Sequence, residues 1–189
     1  MPITAEPTSL PGALLVLPRV FPDDRGFFCE TYRAGELAEH GITEDFVQDN
    51  HSRSARGVLR GLHFAIGEGS SKLVRCGRGT IVDVIVDLRA GSPTYGRWEA
   101  HELTDATMQV LYVPVGFAHG FCVTSDIADV LYKQSSYYDG SVERGIAWDD
   151  PDVGVQWPLP REEISVSQRD IEAPRLSEIA DELPFRYAG

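Results

Sequence analysis

The chain has 189 residues, 42% of them hydrophobic, and a formal net charge of −12. That composition can fill one sizeable core and argues against disorder and against a second domain. The acidic balance argues against nonspecific binding to nucleic acid or to an anionic membrane surface, and no apolar run approaches the ~20 residues needed to cross a bilayer.

The first apolar run, ALLVL at 13–17, lacks a basic segment before it and a small-residue cleavage site after it, so it does not read as a signal peptide. Prolines at both ends of the stretch that contains it predict an edge strand, followed by a turn at Pro22-Asp23-Asp24. AGELAEHG (34–41) predicts a short helix closed by Gly41. Strands dominate after it: SKLVRC, GTIVDVIVDLR, RWEAHEL, QVLYVP, HGFCVT and DVLYKQSSYY are β-branched or aromatic segments bounded by turn residues. In GTIVDVIVDLR (79–89) valines occupy one face and Ile81, Asp83, Ile85 and Asp87 the other. Such near-continuous apolarity predicts a strand covered on both faces.

Turns recurring every 8–12 residues or so predict an antiparallel sandwich or barrel. Helical periodicity returns only late, where Leu176, Ile179, Ala180 and Leu183 form a stripe stopped by Pro184. No repeat, low-complexity tract or linker divides the chain, so residues 1–189 read as one all-β domain with a C-terminal helix. Cys29, Cys76 and Cys122 are too few and too widely spaced for a disulfide framework or a metal knuckle. They read as reduced thiols of a cytoplasmic protein.

GVLRGLHF (57–64) is the segment with chemistry in it. In a regular strand Arg60 and His63, three apart, face opposite ways; both reach one site only if the strand bends, and Gly57 and Gly61 are where a bend is cheap. The plainer reading is an exposed arginine and a core histidine satisfied by backbone. Arg53, Arg56 and Arg60 form a local basic cluster that suits a small phosphorylated ligand despite the acidic total. His40, His51, His63, His101 and His119 contain no H-x-H or H-x-x-x-H pair, so no metal site is expected, a tertiary set of His63, His119 and a carboxylate being the remaining option. His119 launches a strand after a Pro-x-Gly turn; Tyr132 and Tyr138 lie in a tyrosine-rich segment that could equally be core and rim. Lys72 opens a strand, and Asp170 fits a turn or a helix cap. Gly-rich phosphate loops, a G-x-S-x-G elbow and a nucleophilic-cysteine signature are all missing from the sequence.

DDRGFFCE (23–30), FVQDNHSRS (46–54), GVLRGLHF (57–64), residues 71–98, YVPVGFAHGF (112–121) and YYDGSVERGIAWDDP (137–151) run in this order. Together they resemble the dTDP-4-dehydrorhamnose 3,5-epimerase family over roughly residues 8–176. The resemblance implies a cupin-type jelly roll, a homodimer, and catalysis without metal or cofactor. Its implied substrate is dTDP-4-dehydro-6-deoxy-D-glucose, whose C4 ketone acidifies the C3 and C5 protons. Carried over by position, His63 is the base, Asp170 its partner, Tyr132 the acid and Lys72 the cation for the enolate oxygen. His119 lies near the sugar; Arg60 and Arg25 contact the diphosphate end; Tyr138 stacks on thymine. Glu30, Gln48, Asp49, Asn50, Glu143 and Arg169 are further contact positions, Arg169 standing where many members carry lysine. Members often follow the histidine with Tyr-Gln; here Phe64-Ala65 follow, a change expected to remove two polar groups beside the site. A single-centre epimerase, a noncatalytic nucleotide-sugar-binding jelly roll and a metal-dependent cupin oxygenase are the alternatives.

Overall fold

The computed structural model describes residues 3–188. Strands β1 (Thr4–Pro7) and β2 (Leu14–Leu17) precede a hairpin of β3 (Val20–Asp23) and β4 (Gly26–Cys29) and helix α1 (Ala34–Ala38). The body follows as β5 (Gln48–Ala55), β6 (Leu59–Ala65), β7 (Lys72–Arg78), β8 (Thr80–Asp87) and β9 (Trp98–Thr104). It continues with β10 (Val110–Val113), β11 (Phe117–Val123), β12 (Ile127–Gln134) and β13 (Glu143–Gly145). Helices α2 (Gln168–Ile171) and α3 (Leu176–Ile179) come last.

Two antiparallel sheets face each other. One has six strands in the order β1-β2-β10-β7-β12-β5, the other five in the order β13-β6-β11-β8-β9. Between them lies a core to which the first sheet gives Val74, Leu111 and Val130 and the second Ile81, Ile85 and Phe121. This two-sheet arrangement is the jelly roll that the strand spacing and the family resemblance led us to expect.

Each sheet is also covered outside. Val84 and Val86 of β8 pack with Leu62, Phe64, Leu176, Leu183 and Phe185, so the C-terminal segment seals the outer face of the five-stranded sheet. Leu37 and Ile42 cover Leu73, Val110 and Tyr112 of the other. Double coverage explains why β8 is apolar on both faces. The predicted late helix is one α turn followed by a 3-10 turn at Ala180–Glu182, with Leu176 and Leu183 buried as its periodicity requires. The run ALLVL is not an edge: β1 pairs outside β2, which sits between β1 and β10. Among the described residues no helix is long and apolar enough to cross a membrane.

One irregularity matters for everything that follows. On β11, His119 and Phe121 are two apart, while their partners on β6, His63 and Arg60, are three apart. The extra residue is a β-bulge, which reverses the alternation of side chains beyond it. Leu62 and Phe64 therefore point into the outer core, and Arg60 and His63 both point between the sheets. The bend stands on Gly61, at φ +143°, where a Cβ would lie 2.5 Å from the Cα of Gly120. Gly57, also at positive φ, shapes the preceding turn rather than the bulge. Gly61→Ala is expected to lower unfolding free energy by about 1–3 kcal/mol in denaturant titration, and to cost activity as well; wild-type stability would contradict the close approach.

Candidate active site

The bulge opens a cavity of about 520 Å³ between the sheets, lined by Arg60, His63, Lys72, His119, Tyr132 and Tyr138 together with Glu143, Arg169 and Asp170. Nine of the residues singled out in the sequence thus meet in one place. A larger cavity of about 910 Å³, lined by Tyr95, Trp98 and Leu176 among others, contains none of them, so size alone would mislead.

His63 Nε2 lies 2.6 Å from Asp170 Oδ1 across 107 positions of sequence. Asp170 is aimed by a single turn: Ser167 caps α2, its hydroxyl accepting the Asp170 N–H at 3.2 Å. Burial works against the Asp170 charge, but the His63 contact, Ser167 and the Gly61 backbone outweigh it and hold the carboxyl below its usual range. An ionised carboxylate only accepts, so Nε2 carries the proton and Nδ1 is the nitrogen left free. That is the arrangement of a histidine base held by a carboxylate.

Tyr132 stands on β12 in the facing sheet. Burial pushes its phenol upward, with Glu143 adding to the shift and Arg60 opposing it. The group is thus a protonated donor at neutral pH. Lys72, on β7, is buried, which lowers its pKa, while Glu143 and Asp83 pull it back up. Among the described residues its ammonium makes no hydrogen bond or ion pair, so its donors are available to a ligand.

Arg60 Nε donates to Ser54 Oγ at 3.2 Å, and no carboxylate of the described residues pairs with it. The other members of the sequence cluster are spoken for: Arg53 forks onto Asp129 at 2.6 and 2.7 Å, and Arg56 pairs with Glu163. The expected three-arginine cluster therefore contributes one arginine to the cavity. Arg169 sits 3.8 Å from Glu143 at the cavity wall.

Gln48 and Asn50 form a supporting rim. The Tyr138 N–H donates to Gln48 Oε1 at 2.8 Å, Gln48 donates to Asn50 at 3.0 Å, and Asn50 donates to Gln134 at 2.7 Å. Asp49, between them on β5, faces the other way and pairs with Lys133 at 2.9 Å. Arg25 and Glu30 lie outside this chain's cavity, Arg25 at the tip of the β3–β4 hairpin beside Asp23 and Glu30 just after it. Phe64 is turned away, edge-on to Phe185 at 6.1 Å; it packs in the outer core and does not line this cavity, contrary to the expectation from its place beside His63.

Sequence reasoning missed Gln134, Ser52 and Phe121 in the lining, and Asp83 behind it. The signal for Asp83 was present: a carboxylate inside an apolar strand needs a partner. Among the described residues no group of three or more His, Cys, Asp or Glu side chains is placed to hold a metal ion.

Fold and site together define the class of this protein as a jelly-roll isomerase. The chain belongs to the dTDP-4-dehydrorhamnose 3,5-epimerase family, whose model matches residues 7–178. A dTDP-4-dehydrorhamnose 3,5-epimerase of Methanothermobacter thermautotrophicus is 47% identical over 164 residues, 86% of this chain and 89% of that one. A dTDP-4-dehydrorhamnose 3-epimerase of Streptomyces niveus is 40% identical, covering 93% of this chain and 84% of its own. The crystal structure of dTDP-6-deoxy-D-glucose-3,5-epimerase RmlC from Legionella pneumophila, in complex with dTDP-4-keto-L-rhamnose, superposes with a TM-score of 0.95 at 40% identity, over 99% of this chain and 100% of that one.

Proposed function

We propose that this isomerase inverts C3 and C5 of dTDP-4-dehydro-6-deoxy-D-glucose, with His63 as base and Tyr132 as acid. The observation that carries the reading is that the two groups stand on facing sheets of one cavity. Inversion needs removal of a proton from one face of a carbon and delivery to the other. A base and an acid on the same wall could only return the proton where it came from.

The steps follow from the residues. His63 Nδ1 takes the proton from C5 or C3, and the C–H electron pair moves onto the C4 oxygen as an enolate. Lys72, with His119 beside it, meets the developing charge; a donor aimed at such an oxygen is typically worth about 3–4 kcal/mol in the transition state. Tyr132 then gives its proton to the opposite face, the ketone re-forms, and solvent returns the imidazolium and phenolate to their starting states. At the other end Arg60 offers guanidinium donors to the diphosphate, and Tyr138, exposed at the rim, offers a flat ring to the base. Asp170, Glu143 and Arg169 complete the wall around the sugar. The buried thiols of Cys76 and Cys122, both pushed up to about 11 by burial, fit a reducing, cytoplasmic setting.

A homodimer belongs to the same reading. Phe27 and Phe28 on the hairpin are 56% and 62% exposed, a large apolar display for a monomer, and Arg25 and Glu30 beside them are candidates without a place in their own cavity. A second copy of the chain covers the phenylalanines and lets those two side chains reach a nucleotide. Phe27→Asp with Phe28→Asp is expected to halve the mass seen by analytical ultracentrifugation; an unchanged mass, or a monomeric wild type, would contradict this part.

The reading is tested with dTDP-4-dehydro-6-deoxy-D-glucose in D2O, followed by NMR of the sugar. Deuterium with inversion at both C3 and C5 is expected. Exchange and inversion at one carbon would assign a single-centre epimerase such as the Streptomyces niveus relative is named to be. Exchange at neither carbon would overturn the proposal.

A further inference from the structure

Strand β8 carries two fully buried carboxylates, and they are not alike. Asp87 is completely engaged: Arg89 forks onto it at 2.8 and 2.8 Å, Ser92 and Thr94 donate at 2.6 and 2.7 Å, and the Arg89 N–H donates at 3.0 Å. It ties down the loop that follows the strand. Asp83 has 0% exposure and a single partner, His119, whose Nε2 is 2.9 Å from Oδ2. Its other oxygen, Oδ1, is buried without a hydrogen-bond partner. A carboxylate left half satisfied in a dry core costs stability, and replacing it with an apolar residue would often fold as well. The fold therefore gives no reason for Asp83. The site does.

Three features of its position are informative. Asp83 stands behind the cavity and does not line it, while His119, which it holds, does. A carboxylate that accepts from Nε2 fixes the tautomer and leaves Nδ1 as the nitrogen that His119 can turn to a ligand. Lys72 shares the cavity, and Asp83 is one of two carboxylates, with Glu143, whose charge offsets part of the effect of burial on its ammonium. Glu143 does this from within the cavity wall, where it also faces Arg169. Asp83 does it from outside, taking up no room that a sugar would need. On its far side Asp83 is opposite His101 of β9 in register, whose Nε2 lies 3.1 Å from Glu99 Oε1.

We propose that Asp83 is a positioning residue for the isomerisation: it aims His119, so that the free ring nitrogen meets the enolate oxygen alongside Lys72. The inference rests on the epimerase reading above and extends it to a residue that touches no substrate. Asp83 acts on the step in which charge develops on oxygen, and not on nucleotide binding at the Arg60 end. Its loss should therefore appear in kcat and leave KM and dTDP affinity alone.

The test is steady-state kinetics on wild type, Asp83→Asn, His119→Asn and the double variant, with dTDP affinity by calorimetry. Asp83→Asn is expected to lower kcat by about 100-fold, with KM and dTDP affinity within about twofold of wild type. In the double variant the two effects should overlap, because one acts through the other. A kcat within about threefold of wild type, or losses that multiply in the double variant, would overturn the proposal. If Asp83→Asn does not fold, nitrogen-15 NMR of the wild-type imidazoles takes its place. His119 is then expected as the Nε2–H tautomer with Nδ1 unprotonated, and the Nδ1–H tautomer overturns the role. Deuterium exchange by the wild type is measured alongside. Its absence would sink the epimerase reading, whereas wild-type exchange with an unslowed Asp83→Asn sinks only the role of Asp83.

Discussion

The close approach of Gly61 to Gly120 is the constraint on which the site depends. Two strands can come this near only where neither carries a side chain; a Cβ on Gly120 would lie 2.8 Å from the Arg60 carbonyl oxygen. That proximity lets β6 carry one residue more than β11 between Arg60 and His63. Without the extra residue, His63 would face the outer core in the place of Leu62, and the cavity would lose the imidazole that Asp170 holds. The same backbone supports the imidazole from behind, since Gly61 also helps to hold the Asp170 carboxyl below its usual range. Register, base and orienting carboxylate are thus one device.

The second organising feature is the division of labour between the sheets. The five-stranded sheet carries Arg60, His63, His119 and Glu143, and the six-stranded sheet carries Lys72, Tyr132 and Gln134. In the proposed reaction a flat ring held between them meets a proton acceptor on one side and a proton donor on the other. Environment then sets the states of those groups: burial keeps Tyr132 protonated, and hydrogen bonds keep Asp170 ionised against its own burial. In a chain of net charge −12, Arg60, Lys72 and Arg169 make this cavity a local exception that suits an anionic ligand.

Much of this was legible in the sequence, and the parts that were not have a common cause. Period-2 apolar patterns report strands and their faces, so β7 through β12 could be read directly, and the double apolarity of β8 announced cover on both sides. Gly61 marked the bend because a glycine inside a strand has few other uses. What the sequence does not encode locally is pairing across distance. Nothing near Asp170 says that it will meet His63, and nothing near Arg53 says that Asp129 will claim it and remove it from the phosphate end. The edge position was misread for a related reason: β1 is short and has few apolar residues, so its pairing outside β2 shows only in three dimensions. Phe64 was misread because successive strand residues face opposite ways, so standing next to His63 in sequence puts it on the other face. Asp83 was visible as an oddity in an apolar strand, but its use depends on His119, thirty-six positions away.

The central claim is that binding and chemistry in this cavity belong to different residues on either side of one bulge. The most direct measurement compares His63→Asn and Arg60→Ala for dTDP affinity and for deuterium exchange at the sugar carbons under saturating substrate. The account predicts that His63→Asn binds dTDP as wild type does and exchanges nothing, and that Arg60→Ala binds weakly and still exchanges. Exchange that survives in His63→Asn, or dTDP affinity that is lost with it while Arg60→Ala binds normally, would contradict the account.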